Sequence, residues 1–275
     1  MTPTALPRSA TAPNRAWPLY RSCSGIALDL GSARTRAWVS VRGTILDVPT
    51  VAFPGDGDVH PIQRGTIVDT PATARILDRL LRHRLPRFGR RLIVLTTPVL
   101  GGVAFRAEAR SALETLRPHS VLTVPSARAV ATAAGADPTR PLLVVDIGAH
   151  VTEAVLLADG SVTDARRTLL GTSDLDSRTP ATQIADAVTE MVTLMVEQDR
   201  TPQMLDALQR GVLLAGGGAL RPDITHGLAK RLHHPVQPVP APHTAAVRGA
   251  AALLDSARIH PSTTACGPPS PRRPH

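Results

Sequence analysis

Two stretches of the chain place a lone aspartate and a glycine directly after an apolar run. They are Asp29-Leu30-Gly31-Ser32 and Asp146-Ile147-Gly148-Ala149, and an apolar run resumes after each. The N–H groups of such a hairpin turn can bind phosphate oxygens, the glycine allows close approach, and the carboxylate can hold Mg²⁺ through water. One such turn is more often a plain structural hairpin, but two favour a phosphate and metal site.

A run of three glycines, Gly216 to Gly218, follows a third apolar segment and is continued by Ala219. A glycine-rich break between a strand and a helix can form a shelf without side chains, on which a purine or ribose lies at the helix N-terminus. It can equally be an ordinary connection between a strand and a helix. The sequence leaves both interpretations open.

The first half of the chain alternates between short apolar runs and amphipathic segments. Period-2 and period-3.6 patterns separate strands from helices. We predict strands at 25–30, 34–42, 91–98 and 120–125, and helices at 70–85, 104–116 and 126–136.

The second half repeats this order. It opens with a strand group at 140–148 and 151–170, in which Asp159 and Gly160 supply a hairpin turn. We predict a strand at 211–220 that breaks into the glycines, and helices at 179–198, 222–232 and 243–256. Each half therefore opens with a strand that ends in aspartate, an apolar residue and glycine, which indicates a duplication.

The formal charge of +9 comes from 31 basic and 22 acidic residues. Six of the arginines lie in residues 1–24 and 258–275, which contain no acid, so the middle of the chain is only +3. A charge this small, with 2% aromatic residues, argues against a nucleic-acid face. The cysteines Cys23 and Cys266 fit neither a disulfide framework nor metal-ligand spacing.

Both ends of the chain are rich in Pro, Ser, Thr and Ala, which is typical of disordered tails. Residues 15–21 place Trp17, Leu19 and Tyr20 between two arginines, a patch that suits peripheral membrane contact or packing on the protein body. The sequence shows no secretory signal and no apolar stretch long enough to span a bilayer, so we expect a cytoplasmic protein. Peripheral attachment to a membrane is the alternative location.

The order of these motifs resembles the actin-like ATPase superfamily, and within it the bacterial actin MreB family, over roughly residues 25–255. "IALDLGSARTRAWV" and "LLVVDIGAHVTEAVLL" resemble the two phosphate motifs, and "VLLAGGGALRPDITHGLAKRL" resembles the adenosine motif. "GTILDVPTVAF", "GTIVDTPATARILDRLL" and "PAPHTAAVRGAAALL" match the connecting segments. Matching order over the whole body is more specific than any single motif.

This resemblance implies an α/β fold of duplicated actin-like (ribonuclease H-like) lobes, with mixed five-stranded sheets flanked by helices and reduced outer subdomains. The first lobe would span 25–125 together with the C-terminal helix 243–256, and the second 126–242. ATP or ADP with Mg²⁺ is the implied cofactor. The implied nucleotide and phosphate residues are Asp29, Gly31, Ser32, Arg34, Asp146, Gly148, Ala149, His150, Gly216, Gly217, Gly218 and Ala219, with Asp29 and Asp146 holding the metal through water.

The sequence departs from the family at both outer subdomains and at the second phosphate turn. About ten residues lead from Phe53 to Gly65, and some fifty separate Gly160 from the adenosine strand, where the family inserts subdomains. The Gly-Gly-Gly-Thr pattern of the family is replaced by Gly148, Ala149, His150 and Val151; if these positions need φ > 0, each Cβ adds strain. His150 either crowds the terminal phosphate, donates to it, or faces solvent.

The catalytic position also departs from the family. A glutamate of the helix after "TTPV" orients the attacking water in MreB, and the best match here is Phe105, with Glu108 one turn on as a weaker substitute. Phenylalanine can neither position nor deprotonate water. Arg34, where the family has a small polar residue, either adds charge at the phosphates or lies on the surface.

The resemblance therefore predicts a minimal MreB-like scaffold or regulator of bacterial cell shape and cell-wall assembly. It would bind ATP weakly or not at all, with little hydrolysis, and would associate with itself, with full-length MreB-type filaments or with cell-wall assembly proteins. The alternatives are an active phosphotransferase or ATPase of the same fold, which needs a base carboxylate, and a chaperone-like assembly adaptor.

Overall fold

The structure is a computed structural model and describes residues 24–53, 58–86 and 89–259. The predicted tails, including the patch at 15–21, lie outside these ranges apart from their inner edges. Ser24 already belongs to the first strand, and the last helix extends to Ile259.

Five strands form the first sheet, in the order β3-β2-β1-β6-β7. β1, β2 and β3 are antiparallel, and β6 and β7 run parallel to β1. The predicted hairpin partner of the first strand is confirmed, because Asp29 lies opposite Arg36 in the β1–β2 ladder. The strands are β1 (Ser24–Leu30), β2 (Arg34–Val39), β3 (Ile45–Pro49), β6 (Arg91–Thr97) and β7 (Ser120–Pro125).

The second sheet repeats this arrangement in the order β10-β9-β8-β11-β12. Its first three strands are antiparallel and its last two run parallel to the central strand. The predicted turn between β9 and β10 has positive φ at Asp159 and Gly160 (50° and 70°), as a two-residue type I′ hairpin requires. The strands are β8 (Leu142–Ile147), β9 (Thr152–Ala158), β10 (Ser161–Thr168), β11 (Val212–Ala215) and β12 (Val236–Pro238).

The equivalent orders of the two sheets confirm the predicted duplication and the mixed five-stranded sheets flanked by helices. The six predicted helices are all present, with ends that differ by up to four residues. The strands Ile45–Pro49, Ile62–Gln63, Thr66–Ile67 and Val236–Pro238 and the helix Gln203–Arg210 were not predicted. The helices are α1 (Thr70–Leu81), α2 (Gly102–Leu113), α3 (Ser126–Ala133), α4 (Ala181–Gln198), α5 (Gln203–Arg210), α6 (Pro222–Leu232) and α7 (Ala245–Ile259).

The segments that stand in place of outer subdomains are small. Between β3 and α1, the described residues contain a short hairpin of β4 (Ile62–Gln63) and β5 (Thr66–Ile67). Between β10 and β11, the chain forms α4 and α5. α1 is capped by Asp69, whose Oδ1 accepts a hydrogen bond of 2.7 Å from the Ala72 N–H.

Each sheet buries one face under its own set of helices, two in the first lobe and three in the second. In the first lobe, Ile26, Leu28 and Ile93 pack with residues of α1 and α2. In the second, Leu143 and Val145 pack with residues of α4, α5 and α6. Burial of these apolar side chains is the main stabilising term for each lobe.

The remaining faces are covered by α3 and α7, which cross between the two sheets. Val247 and Leu254 of α7 pack on the first sheet, whereas Val130 of α3 packs on the second. The helices approach so closely that a Cβ on Gly249 would overlap the backbone of Ala129. This crossing brings the C-terminal ends of β1, β6, β8 and β11 toward one cleft.

Candidate functional site

One cavity of about 340 Å³ lies at the C-terminal ends of the central strands of both sheets. Asp29 and Asp146, the two strand-ending aspartates, both line it. Its volume is at the low end of the range for small-molecule sites. A cleft at this edge is the usual place for a ligand in sheets of this kind.

The two turns that bound the cavity have the same internal geometry. The Gly31 N–H donates to the Arg34 carbonyl oxygen at 3.0 Å, and the Gly148 N–H donates to the Val151 carbonyl oxygen at 2.8 Å. A Cβ on either glycine would lie 2.9 Å from that carbonyl oxygen. Glycine is therefore needed in both turns for close approach of the backbone.

The tips of both turns carry N–H groups that remain available for a ligand. Within the described ranges, the backbone N–H groups of Ser32, Ala33, Ala149 and His150 donate to no protein acceptor. Two successive N–H groups at a turn tip form a concave anion-binding feature. The arrangement suits phosphate oxygens on the cavity side of each hairpin.

The second turn is held by hydrogen bonds from the segment that follows β10. The Thr172 and Ser173 N–H groups donate to the carbonyl oxygens of Gly148 (3.0 Å) and Ala149 (2.7 Å). Neither Ala149 nor His150 has a positive φ, so the strain considered for the loss of glycine does not arise. The turn keeps its form despite the altered sequence because its carbonyl groups are held by these bonds.

Asp29 is held by neighbours within the first lobe. The Thr96 hydroxyl donates to Asp29 Oδ1 at 2.9 Å, and Nη1 of Arg36 lies 3.5 Å from Asp29 Oδ2. Arg36 also pairs with Asp47 at 3.2 Å, so its charge is shared between two carboxylates. Asp29 is thus fixed in orientation, with one side chain face open to the cavity.

The carboxyl group of Asp146 has a strongly raised pKa. Loss of water around the half-buried carboxyl group raises the pKa of Asp146 to about 7; the charges of Asp29 and Glu153 add to the rise, and Arg36 opposes it. The site therefore has more negative charge than its own arginine neutralises. A cation near Asp29 and Asp146 would relieve this repulsion.

Glu153 lies opposite Asp146 on β9 and connects the two lobes. Its side chain is only 5% exposed, and its oxygens accept from the N–H groups of Val99 (3.1 Å) and Leu100 (3.2 Å). Burial raises the pKa of Glu153, whereas these two bonds lower it. Sequence reasoning did not include Glu153, although a lone carboxylate in an apolar strand was a usable signal.

The three glycines of the predicted shelf, Gly216 to Gly218, have different surroundings. Gly216 has φ of 81° and lies against the Ile147 carbonyl group, and a Cβ on Gly218 would overlap the Ile147 side chain. Gly217 faces open space and, like Gly216, lines the cavity. The cavity lining includes neither Gly218 nor the buried Ala219, so the shelf is narrower than the sequence suggested.

Arg34 lies at the rim of the cavity. Its Nε donates to Asp47 Oδ1 at 2.6 Å, and its side chain is 44% exposed. The group is at the surface and also lines the cavity, and its interaction with phosphates stays a prediction. Ser32 also lines the cavity, and its hydroxyl contacts His150 Nδ1 at 3.0 Å.

The two residues considered for the catalytic position lie elsewhere. Phe105 is 2% exposed and belongs to the core between α1, α2 and the first sheet. Glu108 is exposed and accepts a hydrogen bond from the Thr70 hydroxyl. Neither lines the cavity.

Several lining residues had no signal in the sequence patterns. They come from strand ends and loops that only the tertiary structure brings together, and polar small side chains of this kind have no period or spacing that marks them. They include Thr96, Thr97, Ser126, Thr172, Ser173 and His243.

The cavity does not contain a preformed direct metal site. Among the described residues, no group of three or more His, Cys, Asp or Glu side chains is placed to hold a metal ion. Two carboxylates on one cavity do suit Mg²⁺, which keeps several of its waters and uses one or two carboxylates with substrate phosphates. The donor set therefore fits a metal held through water with a bound phosphate.

Comparison with known proteins gives matches only at the level of structure. No protein-family model and no curated protein sequence matches the chain. MreB5 of Spiroplasma citri, solved with ADP and with AMPPNP, has a TM-score of 0.76 at 15% identity, over 86% of this chain and 97–98% of that one. The fold is actin-like.

Two further actin-like structures support the same conclusion. MamK, solved as a double helical filament, has a TM-score of 0.70 at 15% identity, over 85% of this chain and 99% of that one. EutJ of Carboxydothermus hydrogenoformans has a TM-score of 0.61 at 17% identity, over 83% and 89%. In the described part of this actin-like chain, no helix is both long and apolar enough to cross a bilayer.

Proposed function

We propose that the chain is an MreB-like scaffold or regulator of bacterial cell-shape and cell-wall assembly. It binds adenine nucleotide weakly in the cleft between its lobes and hydrolyses it slowly or not at all. The observation that carries this proposal is the single cavity bounded by two equivalent hairpins, with Asp29 and Asp146 in its lining. The likeness in fold to MreB5, which binds ADP and AMPPNP, supports it.

The phosphates would lie against the free N–H groups at the tips of the two turns. Asp29 and Asp146 would hold Mg²⁺ through water, and Gly217 would leave room for the nucleoside. When bound, Mg²⁺ supplies positive charge that offsets the phosphates and the two carboxylates. The small cavity and the excess carboxylate charge favour weak binding.

Slow hydrolysis follows from the position of Phe105 and Glu108. An attacking water needs a base or a polar group within hydrogen-bond reach. Phe105 is in the core, and Glu108 lies outside the cavity and accepts a hydrogen bond from Thr70. Neither side chain therefore reaches such a water. A missing group of this kind reduces the rate by roughly 10²- to 10⁴-fold.

A scaffold acts by association, either with itself or with filaments of a full-length bacterial actin in the cytoplasm. The filament formed by MamK, a protein of the same fold, supports this part of the proposal. Cell-wall assembly proteins are the further partners that we propose.

Sedimentation and phosphate release together test the proposal. The purified chain would be centrifuged at rising concentration with Mg²⁺ and ADP or ATP, alone and with MreB filaments, while phosphate release from ATP is followed. We expect concentration-dependent pelleting or co-pelleting, with little phosphate release. A chain that stays in the supernatant under all these conditions contradicts the scaffold.

One observation favours a second candidate, an active ATPase or phosphotransferase of the same fold. A carboxyl group with a pKa of about 7 in a ligand cavity, as at Asp146, has the properties of a general base. Rapid Mg²⁺-dependent phosphate release that is lost in Asp146→Ala and kept in Asp206→Asn, an exposed aspartate outside the cavity, would establish this alternative.

A further inference from the structure

The tips of the two hairpins touch each other directly. Ser32 Oγ and His150 Nδ1 lie 3.0 Å apart, although 118 residues separate them in the chain. The hydroxyl can donate to an unprotonated Nδ1, or a protonated Nδ1 can donate to the hydroxyl oxygen. The contact therefore joins the lobes at the end of the cavity where both turns project.

This distance leaves no room for a phosphate group between the two atoms. An oxygen that accepts from both tips needs two hydrogen bonds of about 2.7–3.2 Å, which places the two polar atoms roughly 4.5–6 Å apart. The observed spacing is that of one direct bond. A phosphate can occupy this position only after the Ser32–His150 bond has broken.

The backbones of the two turns are each held in place by hydrogen bonds. The Gly31–Arg34 bond closes the first turn and the Gly148–Val151 bond closes the second. A segment after β10 also holds the second turn through the carbonyl oxygen of Ala149. Widening the gap between the two backbones therefore requires movement of one lobe relative to the other, whereas rotation of either side chain is enough to break the Ser32–His150 bond.

Two other links oppose that movement. Glu153 in the second lobe accepts from the N–H groups of Val99 and Leu100 in the first. Arg64, in the β4–β5 hairpin, pairs with Asp174 at 2.7 Å across the mouth of the cleft. Widening the gap between the two turns thus carries a cost beyond the Ser32–His150 bond.

On the cavity side of the contact, the turns remain accessible. Ser32, Ala33 and Ala149 line the cavity, and their backbone N–H groups donate to no acceptor among the described residues. A short phosphate chain can use these groups while the contact stays closed. A longer chain whose terminal phosphate lies between the tips must displace this contact.

We propose that Ser32 and His150 set the length of the phosphate chain that the cleft accepts, so that it takes a nucleoside diphosphate in preference to a triphosphate. This inference rests on the proposed binding of adenine nucleotide in the same cavity. Ser32 and His150 are then residues that determine specificity, and the site is one for the product of ATP hydrolysis more than for ATP.

Calorimetric titration of the full chain with ADP and with AMPPNP, both with Mg²⁺, tests this directly. We expect the wild type to bind ADP at least about tenfold more tightly, the scale of one lost hydrogen bond with its desolvation. His150→Gly removes the bridge and makes room, so it should bring the two affinities within about threefold, mainly through tighter AMPPNP binding. Ser32→Ala removes only the bond and should shift the ratio in the same direction by less.

His119→Gly is the matched control, because the exposed His119 belongs to neither turn and contacts neither Ser32 nor His150, and it should keep the wild-type ratio. Equal affinities in the wild type, or an unchanged ratio in a folded His150→Gly variant, overturn the length limit and leave nucleotide binding intact. No binding of either nucleotide overturns the proposed binding site and, with it, this inference. Thermal unfolding of each variant confirms that it is folded.

Discussion

Arg64 and Asp174 join the two lobes across the mouth of the cleft. Nη2 of Arg64 lies 2.7 Å from Asp174 Oδ1, and Nη1 donates to the Leu169 carbonyl oxygen at 2.7 Å. Asp174 Oδ2 in turn accepts from the Gly171 N–H at 2.9 Å, next to the segment that braces the second turn. The small hairpin that stands in place of an outer subdomain thus contacts the opposite lobe.

Removal of the Arg64 guanidinium should loosen the mouth of the cleft with little loss of global stability. Arg64 has φ of 45°, which asparagine tolerates, so Arg64→Asn removes the charge without new backbone strain. The side chain of Arg64 is 47% exposed, and pairs of this kind contribute about 0–1 kcal/mol. Hydrogen exchange should become faster at 62–67 and 169–174.

Arg82→Asn provides the control for this experiment, because Arg82 forms an exposed pair with Asp78 inside one lobe. It should leave exchange at the cleft mouth unchanged. Unchanged exchange in Arg64→Asn as well would show that the pair does not hold the lobes together.

The raised pKa of Asp146 predicts a stability that falls as pH rises. Between about pH 4 and pH 7 the unfolded carboxyl group ionises while the folded one keeps its proton, so the folded state binds more protons and the free energy of unfolding decreases. Asp146→Asn removes this effect. The free energy of unfolding of Asp146→Asn, measured relative to that of the wild type, should therefore increase between pH 4 and pH 7 and become constant above pH 7. We expect a final difference of about 2 kcal/mol, because the carboxyl group is partly accessible to solvent.

Urea unfolding in EDTA at several pH values between 4 and 8 measures this difference. Asp206→Asn, at an exposed site, should track the wild type throughout. An advantage of Asp146→Asn that is constant with pH, or that shrinks as pH rises, would contradict the assigned environment.

Gly217 and Gly218 should respond in opposite ways to the same substitution. A Cβ at Gly217 meets no atom within 4 Å, whereas at Gly218 it overlaps the Ile147 side chain. Gly217→Ala should therefore keep the wild-type stability and weaken ADP binding, because the methyl group enters the cavity. Gly218→Ala should lower the free energy of unfolding by about 1–3 kcal/mol.

Urea unfolding and ADP titration of both variants separate these effects. Equal destabilisation by both substitutions would mean that Gly217 is also a packing residue. Full ADP affinity in Gly217→Ala would remove this glycine from the nucleotide site.

Local sequence pattern was sufficient to predict the duplicated fold. The runs before Asp29 and Asp146 are buried strands with period and length that distinguish them from helices, and each is followed by a turn with required glycine. Their repetition in the two halves predicted the duplication, and the resemblance to the actin-like family implied the two five-stranded sheets that the structure contains. α5 was missed although Met204, Ala207 and Leu208, its buried residues, lie at helical spacing.

The contacts between the lobes could not be predicted in the same way. Glu153 with Val99, Arg64 with Asp174 and Ser32 with His150 each join residues far apart in the chain. Such pairs depend on how α3 and α7 cross, and a single sequence has no periodic signal for that crossing. Which of the three glycines packs in the interior and which faces the cavity depends likewise on the position of Ile147.

Calorimetric titration of Mg²⁺ and ADP into the wild type, Asp29→Asn, Asp146→Asn and the Asp206→Asn control tests the central claim most directly. We expect ADP to bind saturably to the wild type and to the control. Its affinity for Asp29→Asn and Asp146→Asn should be lower by about tenfold or more. No saturation of the wild type at millimolar ADP, or unchanged affinity in both Asp29→Asn and Asp146→Asn, would contradict that claim.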